Sequence, residues 1–257
     1  MGLRTVTWNI GGGKLLSEQE SSSGVSTYSV DGIESIAKWL KEVDADIVAI
    51  QEAHGDFESD QVRYIAEYLG YSYYNYDPVA DSHIDSTQKL GNGLISKYPM
   101  SNQRTGRFLN PNMMVKINGD TVLTHEKGYI SCDIFFEGSK ISITTVHLLP
   151  FQLIGIDLKS EIAARILSSV SSEMNKSAPT DYEIILGDFN INSSVISPYM
   201  KKLFETRHLK EVDLKIPTTP DGGMYDHVLY NGLSLKEVDI DSSVKTDHYP
   251  VMCDFGL

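Results

Sequence analysis

The fold is decided by the stretch Glu183-Ile184-Ile185-Leu186-Gly187-Asp188-Phe189-Asn190. Its short apolar run is bounded by turn residues, a pattern that predicts a buried β-strand followed by a polar turn. Before it, apolar residues recur at helical spacing from Leu158 to Met174, which predicts a long amphipathic helix. A helix that leads into a buried strand with polar residues at its end indicates a scaffold that presents reactive groups at strand ends.

Other segments repeat this arrangement of a predicted strand with polar residues at its end. Val6, Trp8 and Ile10 alternate with polar neighbours, which predicts a strand that ends on Asn9. A site built on a rigid sheet needs such groups at several strand ends, so we expect them to converge. The groups that end the five predicted strands are Trp8-Asn9, Gln51-Glu52, His147, Asp188-Phe189-Asn190 and Asp247-His248.

Hairpins and amphipathic helices are mixed along the chain. Ile130 to Phe136 and Ile141 to Val146 predict one hairpin, and the Asn231-Gly232 pair predicts another. We therefore predict an α+β fold in which two mixed, mostly antiparallel β-sheets pack face to face with helices on both outer faces. Residues 1–257 contain no repeat or linker and are predicted to form one domain. The predicted helices cover Ile33 to Val43, Val62 to Leu69, Leu158 to Met174 and Pro198 to Glu205.

Composition and charge limit the classes of function. The chain has 257 residues, is 41% hydrophobic and carries a net charge of -13. This acidity argues against clamping of long duplex DNA by bulk positive charge, although a metal ion and a few cations can reverse the potential inside one cleft. No signal peptide or apolar span is evident, so we expect a cytoplasmic monomer without stable membrane insertion. Cys132 and Cys253 are expected to be small buried thiols.

Seven short motifs occur in a fixed order over nearly the whole chain. They are Thr7-Trp8-Asn9-Ile10, Ile50-Gln51-Glu52, Gly91-Asn92-Gly93-Leu94-Ile95-Ser96, Thr145-Val146-His147-Leu148, Gly187-Asp188-Phe189-Asn190, Tyr225-Asp226-His227-Val228 and Thr246-Asp247-His248-Tyr249-Pro250-Val251. In this order the chain resembles the endonuclease/exonuclease/phosphatase superfamily, which includes deoxyribonuclease I. The resemblance implies a four-layer, deoxyribonuclease I-like fold and Mg²⁺-dependent hydrolysis of a phosphodiester, as in a nuclease.

The resemblance also implies a metal site. Glu52 would be the principal ligand, with Asn9 and Asp247 beside it. Ligands that are all oxygen favour Mg²⁺, or Mn²⁺, over zinc.

By the same resemblance, Asp188 would orient or deprotonate the attacking water, while His147 and Asn190 would donate hydrogen bonds to phosphate oxygens. Asp226 would be hydrogen-bonded to His248, fixing its tautomer and favouring its charged form. His248 would then either take a proton from the water or steady the phosphate, and both roles stay open. For Asp226, entry into a hairpin is the alternative.

The resemblance favours nucleic acid or a nucleotide phosphodiester as the substrate. A phospholipid headgroup, as for a sphingomyelinase, or a phosphoinositide is the alternative, ranked second because no basic amphipathic helix or exposed apolar hairpin is evident. His125 and Lys127 are weak candidates for substrate contacts, and the remaining histidines are expected to lie at the surface or in packing positions.

Four loops are expected to decide specificity, because each lies next to a strand-end motif. The loops are residues 17–29, 77–90, 100–126 and 215–224.

An alternative of another class is a catalytically silent binding module with the same fold, which the complete set of site residues opposes.

Overall fold

The computed structural model describes residues 2–17, 28–56, 58–117 and 120–257. Within these ranges two six-stranded sheets pack face to face, and helices cover the outer face of each. Both sheets are mixed and mostly antiparallel, so the predicted four-layer α+β fold is confirmed. Of the predicted specificity loop 17–29, residues 18–27 lie outside the described ranges.

The elements of the described residues follow the chain as strands, four α-helices and one short 3₁₀ turn. They are β1 (Leu3–Asn9), the 3₁₀ turn (Gly11–Gly13), β2 (Lys14–Leu16), β3 (Tyr28–Asp31), α1 (Ile33–Glu42), β4 (Ile47–Gly55), α2 (Gln61–Leu69), β5 (Tyr73–Asp81), β6 (Lys89–Ser96), β7 (Ser101–Arg107), β8 (Met114–Ile117), β9 (Asp120–Leu123), β10 (Gly128–Phe136), β11 (Ser139–His147), α3 (Glu161–Met174), β12 (Glu183–Asp188), α4 (Lys201–Arg207), β13 (Lys210–Glu211), β14 (Asp226–Asn231), β15 (Ser234–Ile240) and β16 (Val251–Gly256).

Each sheet has one parallel pair of strands near its centre. In the first sheet, β1 runs parallel to β4 and antiparallel to β16 in the spatial order β15-β16-β1-β4-β6-β5. In the second, β11 runs parallel to β12 in the order β13-β14-β12-β11-β10-β7. Because the carboxyl ends of parallel neighbours lie together, both pairs deliver their last residues to one edge.

Three apolar layers hold the sandwich together. Between the sheets, Ile47 and Leu94 of the first pack with Ile143, Ile184 and their neighbours of the second. Helices α1 and α2 bury their apolar stripes on the outside of the first sheet, and α3 and α4 do so on the second. The start of α3 is fixed by a side-chain cap, since Ser160 accepts a hydrogen bond from the Ala163 amide.

The hairpin predicted at Asn231-Gly232 is wrong. Strand β14 belongs to the second sheet and β15 to the first, so this turn carries the chain from one sheet to the other. Gly232 has a φ of +74°, and a Cβ there would lie 1.9 Å from the carbonyl oxygen of Asp181. A glycine with positive φ suits this crossing as well as a two-residue hairpin, and only the pairing of distant strands distinguishes the two.

The segment 100–126, predicted as a loop, contains β7 and the hairpin of β8 and β9. Strand β7 is polar and largely exposed, so it lacks the alternation by which an edge strand would be recognised. Met114 and Leu123 face each other across the hairpin and are 64% and 50% exposed. The expectation that the chain has no exposed apolar hairpin is therefore also wrong. The short helix predicted over 198–205 begins later, at Lys201.

Candidate active site

The structure brings the strand-end residues to one edge shared by both sheets. His147 and Asp188 are paired positions on β11 and β12, and Asp188 is paired with Asp226 on β14. Asn9 arrives from the first sheet, and its amide donates a hydrogen bond to Asp188 Oδ2 at 3.1 Å. The cluster is therefore held across the sandwich and not within one sheet.

Asp226, His248 and Asp188 form a line of acid, imidazole and acid. Nδ1 of His248 donates to Asp226 Oδ2 at 2.8 Å, and Nε2 faces Asp188 Oδ2 at 3.9 Å. Asp226 is completely buried, so its carboxylate fixes the ring orientation and tautomer. The hairpin-entry alternative for Asp226 does not account for this contact.

Burial and neighbouring charges shift the pKa values of both His248 and Asp188. Burial lowers the pKa of His248, but the charges of Asp226 and Asp188 outweigh it and raise the pKa well above the ordinary histidine value. Burial, opposed by the charge of His248, raises the pKa of Asp188 to about 6. Near neutral pH the imidazole is therefore charged, while Asp188 is ionised with a proton affinity close to ambient pH.

Lys127 and His147 lie on the other side of Asp188. The Lys127 ammonium donates to His147 Nε2 at 2.8 Å and lies 3.5 Å from Glu52 Oε1. His147 Nε2 is also 3.4 Å from Asp188 Oδ2. Burial and the neighbouring Lys127 lower the pKa of His147 well below its usual range, so the ring is neutral and accepts the ammonium hydrogen.

Glu52 occupies an unusual backbone position. It lies in β4 at a register shift between Ile50 and Ala53, with a φ of +55°, a conformation that residues with a side chain rarely adopt. Such strain is often found at functional sites. Burial would raise the pKa of Glu52, but Lys127 and nearby imidazoles outweigh burial and lower it to about 2. The carboxylate is therefore charged throughout the physiological range.

Oxygen atoms around Asn9, Glu52 and Asp247 fit a hard divalent cation. Among the described residues, Oδ1 of Asp247 is buried without a hydrogen-bond partner, an arrangement that costs free energy unless another group satisfies it. Gly11, with a φ of +49°, lets the chain pass close by, since a Cβ there would lie 2.9 Å from that oxygen. Within the part of the chain that the structure describes, Asn9 Oδ1 accepts a hydrogen bond from the Gly11 amide alone, which leaves it a second lone pair. These uncommitted oxygens are ligands that Mg²⁺ or Mn²⁺ prefers.

A second group, Asp188, Asp226 and His248, also brings three possible ligand atoms within 4.8 Å of one another. The facing atoms of this group are already committed, because His248 Nδ1 donates to Asp226 Oδ2 and Asp188 Oδ2 accepts from Asn9; Asp226 Oδ1 is its one buried atom without a partner among the described residues. The oxygens near Asp247 are therefore the better candidate for a cation.

Asn190 and Gly187 show why the Gly-Asp-Phe-Asn turn has its sequence. A Cβ on Gly187 would lie 2.0 Å from the Val146 carbonyl oxygen on the neighbouring strand. Asn190 has a φ of +51°, which asparagine tolerates, and its amide donates to the Leu148 carbonyl at 2.9 Å. This bond uses one of its two amide hydrogens, and the other has no acceptor among the described residues.

Several buried groups support the site from behind, and of these Gln51, Thr145 and Trp8 lie within the motifs quoted from the sequence, whereas Thr218 lies outside them. Gln51 donates to Thr145 Oγ1 at 2.9 Å and so links the two sheets directly behind the cluster. Thr218 Oγ1 accepts the backbone amide of Asp226 at 3.3 Å. Trp8 Nε1 donates to the His248 carbonyl at 3.0 Å, which anchors the loop that carries Asp247.

A cavity of about 550 Å³ opens from these groups toward β8 and β9. The two weak substrate candidates, His125 and Lys127, both line it, as does His83, which the sequence offered only as a surface or packing residue. The rings of His83 and His125 lie 5.8 Å apart.

Among the described residues, no helix is long and apolar enough to cross a membrane.

Known proteins are similar to this chain in part of its sequence and in its fold. A family model described as Endonuclease/Exonuclease/phosphatase family matches residues 6–132, and a search of curated proteins found no match. An endonuclease/exonuclease/phosphatase from Beutenbergia cavernae DSM 12333 is 18% identical with a TM-score of 0.73, covering 100% of this chain and 72% of that one.

Two further structures share the fold. ANGEL2, a 2',3'-cyclic phosphatase in complex with adenosine-2',3'-vanadate, is 14% identical with a TM-score of 0.68, covering 99% of this chain and 95% of that one. D. rerio TDP2 complexed with a single strand DNA product is 13% identical with a TM-score of 0.62, covering 100% and 99%. Residues 6–132 therefore match the model of the Endonuclease/Exonuclease/phosphatase family, and the whole chain shares the four-layer fold of these solved structures.

Proposed function

We propose that this protein hydrolyses phosphodiesters with the help of one divalent cation, Mg²⁺ or Mn²⁺. The observation that carries the proposal is the line of Asp226, His248 and Asp188 beside the uncommitted oxygen of Asp247 in one cavity. No covalent bond between enzyme and substrate is required, because an activated water suffices for attack on phosphorus. Residues 1–257 are proposed to act as one catalytic domain.

Asn9, Glu52 and Asp247 would hold the cation. When bound, it would polarise a phosphoryl oxygen and stabilise the departing alkoxide. The formal charges support a single ion, because the carboxylates of the cluster outnumber its cations by two. Those carboxylates are Glu52, Asp188, Asp226 and Asp247, and the cations are Lys127 and His248.

Asp188 would act as the base that takes a proton from the attacking water. Its pKa of about 6 keeps it ionised at neutral pH while leaving it a useful proton acceptor. His248 would remain charged beside Asp226 and donate from Nε2 to a phosphate oxygen. The new P–O bond forms as the ester bond to the leaving alkoxide breaks, and negative charge grows on the phosphate oxygens that His248 faces.

Lys127, His147 and Asn190 would bind the non-bridging phosphate oxygens. Lys127 reaches His147 Nε2 in this structure, so a phosphate bound at that point would accept hydrogens from the ammonium directly. His147 would orient that ammonium and, in its other tautomer, could itself donate. The free amide hydrogen of Asn190 is available for a third contact.

Nucleic acid or a nucleotide phosphodiester is the first candidate substrate. ANGEL2 is described with an adenosine vanadate and TDP2 with a single strand DNA product, and both share this fold. A phospholipid-type phosphodiester is the second candidate. It is favoured by the exposed apolar hairpin beside the cavity, where Met114 and Leu123 are half exposed or more.

The test is hydrolysis of bis(p-nitrophenyl) phosphate, p-nitrophenyl phosphate, single-stranded and duplex DNA, RNA and sphingomyelin, with Mg²⁺, Mn²⁺ or EDTA. Asp188→Ala and His248→Ala should each lower kcat/KM on the diester by about 100-fold or more. Asp213→Ala is the matched control, since that carboxylate is 74% exposed and its recorded ion pair is with Lys215.

Loss of diester cleavage in both site variants and in EDTA, with Asp213→Ala unaffected, is the expected result. Absence of metal-dependent turnover on every substrate, in protein shown to be folded, would refute the proposal and favour the silent binding module.

A further inference from the structure

The cavity beside the catalytic cluster has an aliphatic wall. This wall comes from two segments, the hairpin of β8 and β9 and the turn that follows His147. Both segments border the polar cluster directly, because His147 and Leu149 line the same cavity two residues apart. The aliphatic side chains of the wall are Val115, Leu123, Leu149, Pro150, Leu153 and Ile154.

The wall has a fixed base and an exposed rim. Val115, Leu149 and Ile154 belong to the apolar core that α3 packs against, so their positions are set by the fold. Leu123 and Leu153 are 50% and 59% exposed at the entrance. Two leucines in water beside a catalytic cavity leave apolar surface that a ligand can bury.

The composition of the cavity disfavours a nucleobase there. Among the described residues that line it, none is Phe, Tyr, Trp or Arg, and histidine is the one side-chain type present on which bases stack. The imidazoles of His83 and His125 come from other segments and lie near the charged cluster. An aliphatic wall gains free energy from any apolar group but offers no hydrogen bonds to read a base.

We propose that this cavity is a subsite for an aliphatic ester arm of the substrate, so that the scissile phosphate carries an alkyl group on its non-leaving side. The inference rests on the proposed phosphodiesterase function and, of its two candidate substrates, favours the phospholipid-type phosphodiester over nucleic acid. The alkyl arm would belong either to a free small phosphodiester or to a lipid, since both present the same chemistry to the wall.

The test uses p-nitrophenyl phosphodiesters that share one leaving group and differ in the other arm: methyl, butyl, octyl, phenyl and 5'-thymidyl. The rate constant kcat/KM should rise at least tenfold from methyl to octyl, because each fully buried methylene is worth up to about fourfold. The octyl ester should exceed the thymidyl ester. Release of choline from sphingomyelin vesicles, in which the lipid arm stays on the phosphate, is compared with hydrolysis of the monomeric octyl ester to distinguish a lipid source from a free one.

Leu153→Asn and Leu123→Asn should flatten this dependence on chain length, so that the ratio of kcat/KM for the octyl ester to that for the methyl ester falls toward one. Both side chains are exposed, so neither change should disturb folding. Phe135→Asn is the matched control, because Phe135 is 61% exposed near the far end of β10 from Lys127 and does not line the cavity.

Binding of methyl phosphate and octyl phosphate, measured by calorimetry, needs no turnover and decides the inference independently. Tighter binding of octyl phosphate, lost in Leu153→Asn, supports the subsite. Equal binding of the two, or a thymidyl ester that is the best substrate, overturns it. If the methyl ester is hydrolysed but the series is flat, the subsite fails while the phosphodiesterase stands. If octyl phosphate binds more tightly than methyl phosphate but no ester is cleaved, the subsite stands while the phosphodiesterase function fails.

Discussion

Replacement of Lys127 by Met is expected to tighten binding of the divalent cation while weakening catalysis. The Lys127 ammonium lies 3.5 Å from Glu52 Oε1, and both side chains are 13% exposed. A cation that binds Glu52 must share the carboxylate with this ammonium. Their attraction at 3.5 Å is about 1.2 kcal/mol at the dielectric constant of water and about 4.7 kcal/mol at an effective value of 20.

The lower figure already corresponds to about a sevenfold change in affinity, because 1.4 kcal/mol is a factor of ten. Titration of Mn²⁺ or Mg²⁺ into the wild type and Lys127→Met by calorimetry should therefore show a dissociation constant at least about sevenfold smaller in the variant. Lys127→Arg keeps the charge and should change little. An equal or larger dissociation constant for Lys127→Met would refute the view that the ammonium competes for Glu52.

Three other predictions follow from the contacts described. Asp226→Asn should lower the pKa of His248, measured by NMR titration of the imidazole, and an unchanged pKa would contradict the pairing. Arg207 is 3% exposed and ion-paired with a buried glutamate, so Arg207→Met should cost about 3–5 kcal/mol of unfolding free energy in urea; a loss under about 1 kcal/mol would exclude a structural role. Burial lowers the pKa of His54, so its contribution to stability is complete above the unfolded value of 6.5 and is lost as pH falls below it. His54→Gln should therefore flatten the decline in urea midpoints as the pH falls from about 7 to 5. An equally steep decline in the variant would assign the pH dependence of stability to other groups.

Short-range patterns were sufficient to predict the layers of the fold and the clustering of the strand ends. Buried runs followed by polar turns, as at Leu186 to Asn190, require nothing beyond neighbouring residues to be recognised. The mutual contact of Asp226 and His248 agrees with the arrangement that the family resemblance implied.

Features that depend on distant pairing were not predictable in this way. Lys127 reaches His147 because its neighbour Gly128 is paired with His147 across β10 and β11, a register that local sequence does not specify. The positive φ of Glu52 arises at a bulge, and nothing in its sequence marks one. The Asn231-Gly232 turn joins two sheets and not one hairpin, because the partners of the flanking strands lie far away in sequence.

The hydrogen bond from Asn9 to Asp188 joins groups that stand on opposite sheets, as does the one from Gln51 to Thr145. The spacing of the reactive atoms is therefore a gauge of the distance between the sheets. A side chain that thickens or thins the central layer moves the base relative to the cation ligands, even when it lies far from either. The outer helices can be redesigned more freely than the middle of the sandwich, because side chains between the sheets determine both the packing and the spacing of the reactive atoms.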